Sequence, residues 1–523
     1  MVLPHTIWIE IVERFLTRHS SRITGVLSGF DRLLFRGTLM SVCHPEGFGR
    51  FLGRCRVLYK GYEAFVTQLS ERIKDHAKAL AQTHQRPYRY LESAAESKEQ
   101  IARGIRETDG IEEGLVCVLA CTEPCRSFEL RKNAQSQRRE LRSAWRKCLH
   151  IYFYYHDREF GLMHVRLQTW APFGIQVCLN GREYLGRQLV KAGIGHEQRD
   201  NCFTRIDDVP KAQALLDRLV EKRWPRVLQA WARRHNPLVG GRGGVRLRDY
   251  YWTLRQGEWA TDVMFHDAAA LQDLYPTLVH HAVMHFGSES VLRFLGRRTS
   301  SRFNGEVRTQ STTRTEGVSV KHWVEENSIK MYDKQGRVLR IETTINQPRR
   351  FVVRRRVIRR GRSCLAWVPM RKGVADLPRL AELSQAANAR YLRALALVDP
   401  PVAAHRVLDP VSRRVVDKGR PYRGLRPLTP EEAKTFAIVL KGEWRIQGFR
   451  NVDLRRALFA AAERDRDQRR RVSGRVTRYL RLLRVHGLIQ KVSGRRYYRV
   501  TDRGTEVMTT ALRLRATNLA TVA

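Results

Sequence analysis

Two stretches of the chain read as antiparallel β-structure with very short connections, and they restrict the folds open to it. Between Cys148 and Asn180, CLHIYFYYHD, REFG and LMHVRLQTWAPFGIQVCLN give two or three strands joined by tight turns. SIKMYDKQGRVLRIETTI (328–345) reads as a β-hairpin turning at Lys334, Gln335 and Gly336, and FVVRRRVIRRG continues as a further strand. SRITGVLSGFDRLLFRGTL reads as a strand or strand pair punctuated by Gly25, Gly29 and Gly37, and Leu115 to Ala120 as a short apolar strand. Helical spacing marks 1–20, much of 51–105, GREYLGRQLVKAGI, and 210–235 with a break at Pro225. WTLRQGEWATDVMF leads into helical sequence as far as about Leu295. Helices alternating with antiparallel hairpins across 21–365 predict an α+β fold and argue against a doubly wound parallel sheet.

Four regions follow from this pattern: 1–145, helical or α+β; 146–398, α+β; 399–428, a linker; and 429–523. The linker DPPVAAHRVLDPVSRRVVDKGRPYRGLRPL is rich in Pro and Arg and reads as an extended arm.

Charge narrows the partners. Lys and Arg total 96 against 52 Asp and Glu, a formal net charge of +44. Self-repulsion of that size weakens a compact fold unless a polyanion offsets it, and a polyanion gains counterion-release free energy in exchange. Nucleic acid, DNA or structured RNA, is the expected partner; an anionic membrane surface and plain Arg-rich composition are the rivals. No stretch reaches the roughly 18 apolar residues of a membrane helix, and the N-terminus lacks a signal layout, so the expectation is a cytoplasmic protein without a membrane partner. The nine cysteines are too sparse for a disulfide scaffold. Cys117, Cys121 and Cys125 lack paired CxxC spacing and read as buried thiols rather than zinc ligands. His280, His281 and His285 lack the acid of an HExxH helix, and His156 and His164 read as solvent-facing hairpin residues.

The last hundred residues carry their own pattern. TPEEAKTFAIVLKG has Thr429 at N-cap, Pro430 at N1 and Glu432 at N3 of a helix. VDLRRALFAAA follows with Asn451 as its N-cap, and a third helix runs from about Val472 to Val485. Leu488 to Val492 and RRYYRV form a strand pair around Ser493 and Gly494, and TDRG opens a last helix. On the third helix Val476, Leu480 and Leu483 form an apolar stripe, while Arg475, Arg478 and Arg481 lie off it. The segment LRVHGLIQKVSGRRYYRVTDRG resembles the LxxxGLI…LTxxG pattern of the MarR-like winged-helix group, with Val500 where that pattern has Leu. The resemblance implies a winged-helix domain whose third helix enters a major groove through Arg475, Arg478 and Arg481, with Arg495 and Arg496 at the wing tip. The alternative is a winged helix that contacts protein.

In the larger region one constellation bears on chemistry. Tyr332, Asp333 and Lys334, followed by Arg340 and Glu342, are similar to the YDK…RxE strand pair of rolling-circle replication initiators and Rep-trans relaxases. That resemblance implies a tyrosine attacking a DNA phosphate beside a Mg²⁺ ion held by acids; the HxH motif of the main HUH endonucleases is absent. Strand geometry puts Arg340 and Glu342 on one face, opposite Tyr332 and Lys330 or Lys334 across the hairpin. Asp333, Glu342 and Glu316 are the first candidate metal ligands, with Glu258 and Asp262 also available, and Lys330, Lys334 and Arg340 the candidates to stabilise phosphorane charge. A solvated hairpin with ordinary cross-strand pairs is the plain alternative. The chain as a whole resembles a bacterial protein group whose members carry segments like GFDRLLFRGTL, TWAPFGIQ and SIKMYDK; this resemblance implies no mechanism.

A second surface is the run of aromatics from Tyr152 to Tyr155 with Trp170 and Phe173, interleaved with Arg158 and Arg166. Tyr154 and Arg166 are the candidates there to stack and hold a single strand. The sequence therefore supports two functions. One is a metal-dependent DNA-cleaving or strand-transferring enzyme of a mobile-element or replication type. The other is a non-catalytic DNA- or RNA-binding regulator or ribonucleoprotein component.

Overall fold

The computed structural model describes residues 14–135, 137, 139–240, 247–297, 305–314, 317–359, 361–396, 404–440, 444, 448–460, 465–492 and 497–516. It is a mixed α and β structure in two units. The first takes the described residues of 1–276 and 309–391, and the second those of 277–308 and 392–523.

The first unit is built on one sheet of eleven strands. They are β1 (Ile23–Thr38), β2 (Tyr88–Leu91), β3 (Gly114–Lys132), β4 (Arg139–Asp157), β5 (Gly161–Gln168), β6 (Ile175–Asn180), β7 (Tyr251–Phe265), β8 (Val307–Arg314), β9 (Gly317–Val324), β10 (Asn327–Lys334) and β11 (Val338–Thr344). Their order across the sheet is β8-β9-β10-β11-β7-β1-β6-β5-β4-β3-β2. The short-turn hairpins of the sequence are neighbours here: β4 with β5, β5 with β6, and β10 with β11, all antiparallel. Strand β2 pairs parallel with β3, across the helix α3 named below. WTLRQGEWATDVMF is itself strand β7, and it bridges the two halves of the sheet by pairing with β1 and β11.

Helices α1 (Pro45–Arg54), α2 (Tyr62–Thr83), α3 (Lys98–Thr108), α4 (Gly181–Lys191), α5 (Val209–Glu221), α6 (Trp224–His235) and α7 (Leu377–Leu395) cover the sheet. One large core gathers Phe30, Phe35, Phe48, Ile151, Phe153, Tyr155 and Trp224, and a smaller one gathers Cys117, Leu119, Cys121, Tyr152 and Tyr154 with Ala102 of α3. Alternation along β4 therefore splits its aromatics between two cores. The boundary expected at 145/146 falls inside β4, so 1–145 is not a separate unit. The apolar run Leu115–Ala120 extends to a strand of 19 residues because β4 pairs with it along nearly its whole length.

In the second unit, helices Ala404–Ser412, Pro430–Val439, Asn451–Leu458 and Arg466–Val485 precede the strand pair Ile489–Lys491 with Tyr498–Val500, and the helix Asp502–Ala516 follows. Its core holds Phe436, Phe449, Leu454, Val476, Leu480, Leu483, Leu488 and Met508. The segment 399–428 is not an extended arm over its described part. Leu408, Val411 and Leu425 are buried in that core, because the helix Ala404–Ser412 and the small hairpin of Val415–Asp417 with Arg420–Tyr422 fold onto it. Arg450, one residue earlier than expected, caps Asn451–Leu458. The Asn451 amide instead donates to the Ser473 carbonyl and the Thr477 hydroxyl, tying that helix to the next. Among the described residues no helix is long and apolar enough to cross a membrane.

Candidate metal and strand-cleavage site

The site begins with a β-bulge. Along β1 and β7, Phe30 faces Trp259 and Arg32 faces Glu258, leaving Asp31 as an extra residue. A bulge of this kind turns neighbouring side chains toward the same side of the sheet, so Asp31 and Arg32 both reach the face of Glu258. On β7 the two-residue period gives Glu258, Ala260 and Asp262 that face as well. Register carries it onward: Asp262 pairs with Arg340 and then Tyr332, and Ala260 with Glu342 and then Lys330.

Beneath the site lies a buried ion-pair network. Arg340 is fully buried and donates from Nε to Asp262 Oδ1 at 2.6 Å, from Nη2 to Asp262 Oδ2 at 2.8 Å, and from Nη1 to Asp31 Oδ2 at 3.1 Å. Its Nη2 also donates to the Asn201 carbonyl, and the Asn201 amide donates to both oxygens of Asp31. A second buried guanidinium, Arg182, donates to Asp262 and to the Ala260 carbonyl. Strand β6 delivers it: Asn180 caps α4 by accepting from the Arg182 and Glu183 amides, so Arg182 enters in the first turn. Gly181 is required there, since a Cβ would sit 1.7 Å from the Phe30 carbonyl oxygen. Burial alone would raise Asp262, but the two guanidiniums hold its carboxyl below the usual value. Burial raises Asp31, and the neighbouring cations do not fully reverse it.

One carboxylate oxygen each from Asp31, Glu258 and Glu342 lies within 4.8 Å of the others, and Glu258 and Glu342 are half-buried. Burial first, then the charge of Glu342, pushes Glu258 up to about 7. The Tyr332 hydroxyl donates to Glu342 Oε2 at 2.8 Å, and Lys330 Nζ stands 3.8 Å from the centre of the Tyr332 ring. Burial and the adjoining carboxylates hold the Tyr332 phenol well above its ordinary value, against the pull of Arg340. Three carboxylates and no nitrogen or sulfur form a donor set for a hard divalent cation such as Mg²⁺.

The structure brings together Tyr332, Lys330 and Glu342 of the expected residues. Arg340 is corrected: with its nitrogens committed to buried carboxylates and a carbonyl, it positions Asp31 and cannot meet a phosphate. Asp333 is corrected as a ligand, because it follows Tyr332 along the strand and pairs with Leu339 on the opposite face. Lys334 is bound to Asp200 at 2.9 Å and pairs with Val338 rather than Glu342. Glu316, Arg495 and Arg496 lie outside the described residues. Asp31 was missed; its signal was an acid inside the apolar run GFDRLLF, which only a bulge or a buried cation accommodates.

Elsewhere, Tyr154 is 3% exposed, so its ring offers no face to a base. Arg166 is half-buried, with its guanidinium on Glu123 at 2.6 Å. His164 is packed against Tyr152 and Tyr154 rather than facing solvent, and burial lowers it to about 3. His156 is half-buried beside Arg187. Cys117, Cys121 and Cys125 are buried. In the second unit Arg475, Arg478 and Arg481 are exposed while Val476, Leu480 and Leu483 are buried, the split that helical spacing requires. Comparison of the chain with protein-family models, curated proteins and solved structures found no match.

The charge crowding has a pH consequence. Glu258 titrates near 7 in the fold against an ordinary 4.5, so the folded state binds the extra proton between those values and metal-free stability falls as pH rises through that window. Thermal melts of the parent should show this fall, and Glu258→Gln, which keeps size and removes the charge, should flatten it. Identical pH profiles for parent and variant would show that Glu258 is not crowded.

Proposed function

We propose that the protein binds nucleic acid and cleaves a DNA strand in a metal-dependent reaction that uses Tyr332 as nucleophile. One observation carries this reading: three carboxylates converge next to a tyrosine hydroxyl on a partly buried sheet face, in a chain of net charge +44. A divalent ion held by Asp31, Glu258 and Glu342 would polarise the scissile phosphate and relieve the carboxylate crowding. Lys330, beside the ring, favours the phenolate. As Tyr332 attacks, its proton passes to Glu342, the bond between Tyr332 oxygen and phosphorus forms, and the bond to the 3′ oxygen breaks. That oxygen leaves as a hydroxyl with a proton from water, and the 5′ phosphate stays on Tyr332. The buried Arg340 opposes the effect of burial on Asp31 and holds its carboxylate in place.

The second unit, in this reading, is a winged helix that docks the enzyme on duplex. From Pro430 on, its described order of three helices, a strand pair and a helix, with exposed arginines along Arg466–Val485, supports that role. The function then divides between duplex capture and strand cleavage. A regulator or ribonucleoprotein component would use the same arginines but would have no need of the carboxylates beside Tyr332.

Incubation with Mg²⁺ or Mn²⁺ and single-stranded DNA of the host replicon should leave a covalent protein–DNA adduct on a denaturing gel. Tyr332→Phe should abolish the adduct with binding unchanged, and Glu342→Gln should reduce it. Binding without any adduct or nick would leave the non-catalytic reading. For the second unit, Arg475→Ala with Arg478→Ala should weaken duplex affinity by about 1–3 kcal/mol per lost base contact. An unchanged affinity would remove this helix as the reading element.

A further inference from the structure

The same sheet face carries a cluster of cations that the chemistry at Tyr332 does not use. Arg32 and Arg36 lie four residues apart on β1 and so share a face. Arg32 pairs with Glu258, and Arg36 pairs through Gln176 of β6 with Arg166 of β5. A second irregularity adds to them: Leu34 faces Gln256 and Phe35 faces Leu254, so Arg255 is an extra residue on β7. With its amide turned to satisfy both neighbours, the Gln176 oxygen accepts from Arg255 Nη1 at 2.7 Å and from Arg166 Nη1 at 3.3 Å. Two guanidiniums from different strands thus converge on one side chain, with Arg36 in register beside it.

These charges are poorly compensated. Arg166 is paired with Glu123, but among the described residues no carboxylate lies within ion-pair distance of Arg36 or Arg255, and both are exposed. Burial, then the neighbouring Arg255, Arg126 and Arg166, holds Arg36 below its ordinary value. A fold that gathers guanidiniums without acids is stabilised by an anion that accepts from several at once, and the planar fork of arginine suits phosphate oxygens.

We propose that Arg36, Arg166 and Arg255 form a phosphate-binding subsite that holds the backbone of a single-stranded nucleic acid leading to Tyr332. At about 3.3 Å per residue, Arg36 stands roughly 13 Å along β1 from the row of Arg32 and Glu258, a gap that a few nucleotides of extended strand span. The position relative to cleavage rests on the function proposed above, whereas the binding of a strand does not.

The test measures binding of a fluorescent twelve-nucleotide single-stranded DNA to the full chain, without divalent metal, over a range of salt. Arg36→Ala with Arg255→Ala should weaken binding by roughly 10- to 30-fold and lower the slope of log affinity against log salt by about 1.4, two phosphate contacts at ~0.7 each. The control pair Arg72→Ala with Arg89→Ala, exposed arginines elsewhere in the first unit, should change affinity less than about twofold. Arg36→Lys with Arg255→Lys should restore most of the salt slope. Equal affinities and parallel slopes for the two alanine pairs would overturn the subsite. Because no metal is present, a protein that forms no adduct but shows the slope change would retain the subsite and lose only the cleavage reading.

Discussion

The site depends on one buried cation. Arg340 joins Asp31 of β1 to Asp262 of β7 from its place on β11, and so fixes three neighbouring strands at the level of the bulge. Such a network adds little net stability over a well-packed apolar core, but removing one partner strands the others in a low-dielectric interior at a cost of about 3–5 kcal/mol. Its return is therefore positional. It holds Asp31 at the edge of the interior, next to the half-buried Glu258 and Glu342.

The division of labour among acids follows from this. Asp262, between two guanidiniums, is neutralised by the protein itself and has no spare charge to offer. Asp31 is shared: both its oxygens accept from Asn201 and Oδ2 also from Arg340, yet one oxygen lies within 4.8 Å of the Glu258 and Glu342 carboxylates. Glu258 and Glu342 have no buried guanidinium of their own, and burial together with their mutual repulsion raises Glu258. Carboxylates close to one another thus become a structural anchor, a link between interior and site, and two candidate ligands. Opposite the carboxylates, α7 lays Asn388 against β7 and β11, where it bonds the Trp259 and Ile341 carbonyls and the Thr343 hydroxyl. The strands that carry the acids are held from both sides.

Much of this was legible in the sequence wherever a short-range rule applies. The 328–345 hairpin, its turn at Gln335 and Gly336, and the shared face of Tyr332, Arg340 and Glu342 follow from period and turn chemistry, while the register, which sets Lys330 rather than Lys334 opposite Glu342, comes from the structure. The buried and exposed stripes of Arg466–Val485 follow from helical spacing. What escaped is long-range. Asp31 meets Arg340 across 309 residues, and nothing local to GFDRLLF says which cation an acid in an apolar strand will find. Arg340 was assigned to phosphate for the same reason, since a strand arginine beside a tyrosine looks the same in sequence whether its partners are solvent or two buried aspartates. The aromatics of CLHIYFYYHD looked half-exposed because single-strand alternation cannot reveal that α3 covers the second face. The 399–428 arm looked extended because Pro and Arg dominate its composition, while Leu408, Val411 and Leu425 decide its packing.

The central claim is that the carboxylates of Asp31, Glu258 and Glu342 are the ligands of one divalent cation. Crystals soaked in Mn²⁺ test it directly, because anomalous scattering locates the metal without reference to activity. Our reading predicts one strong anomalous peak bonded to oxygens of all three carboxylates, lost in crystals of Glu342→Gln. Manganese bound elsewhere, or no peak between these residues at a concentration that saturates surface sites, would contradict it.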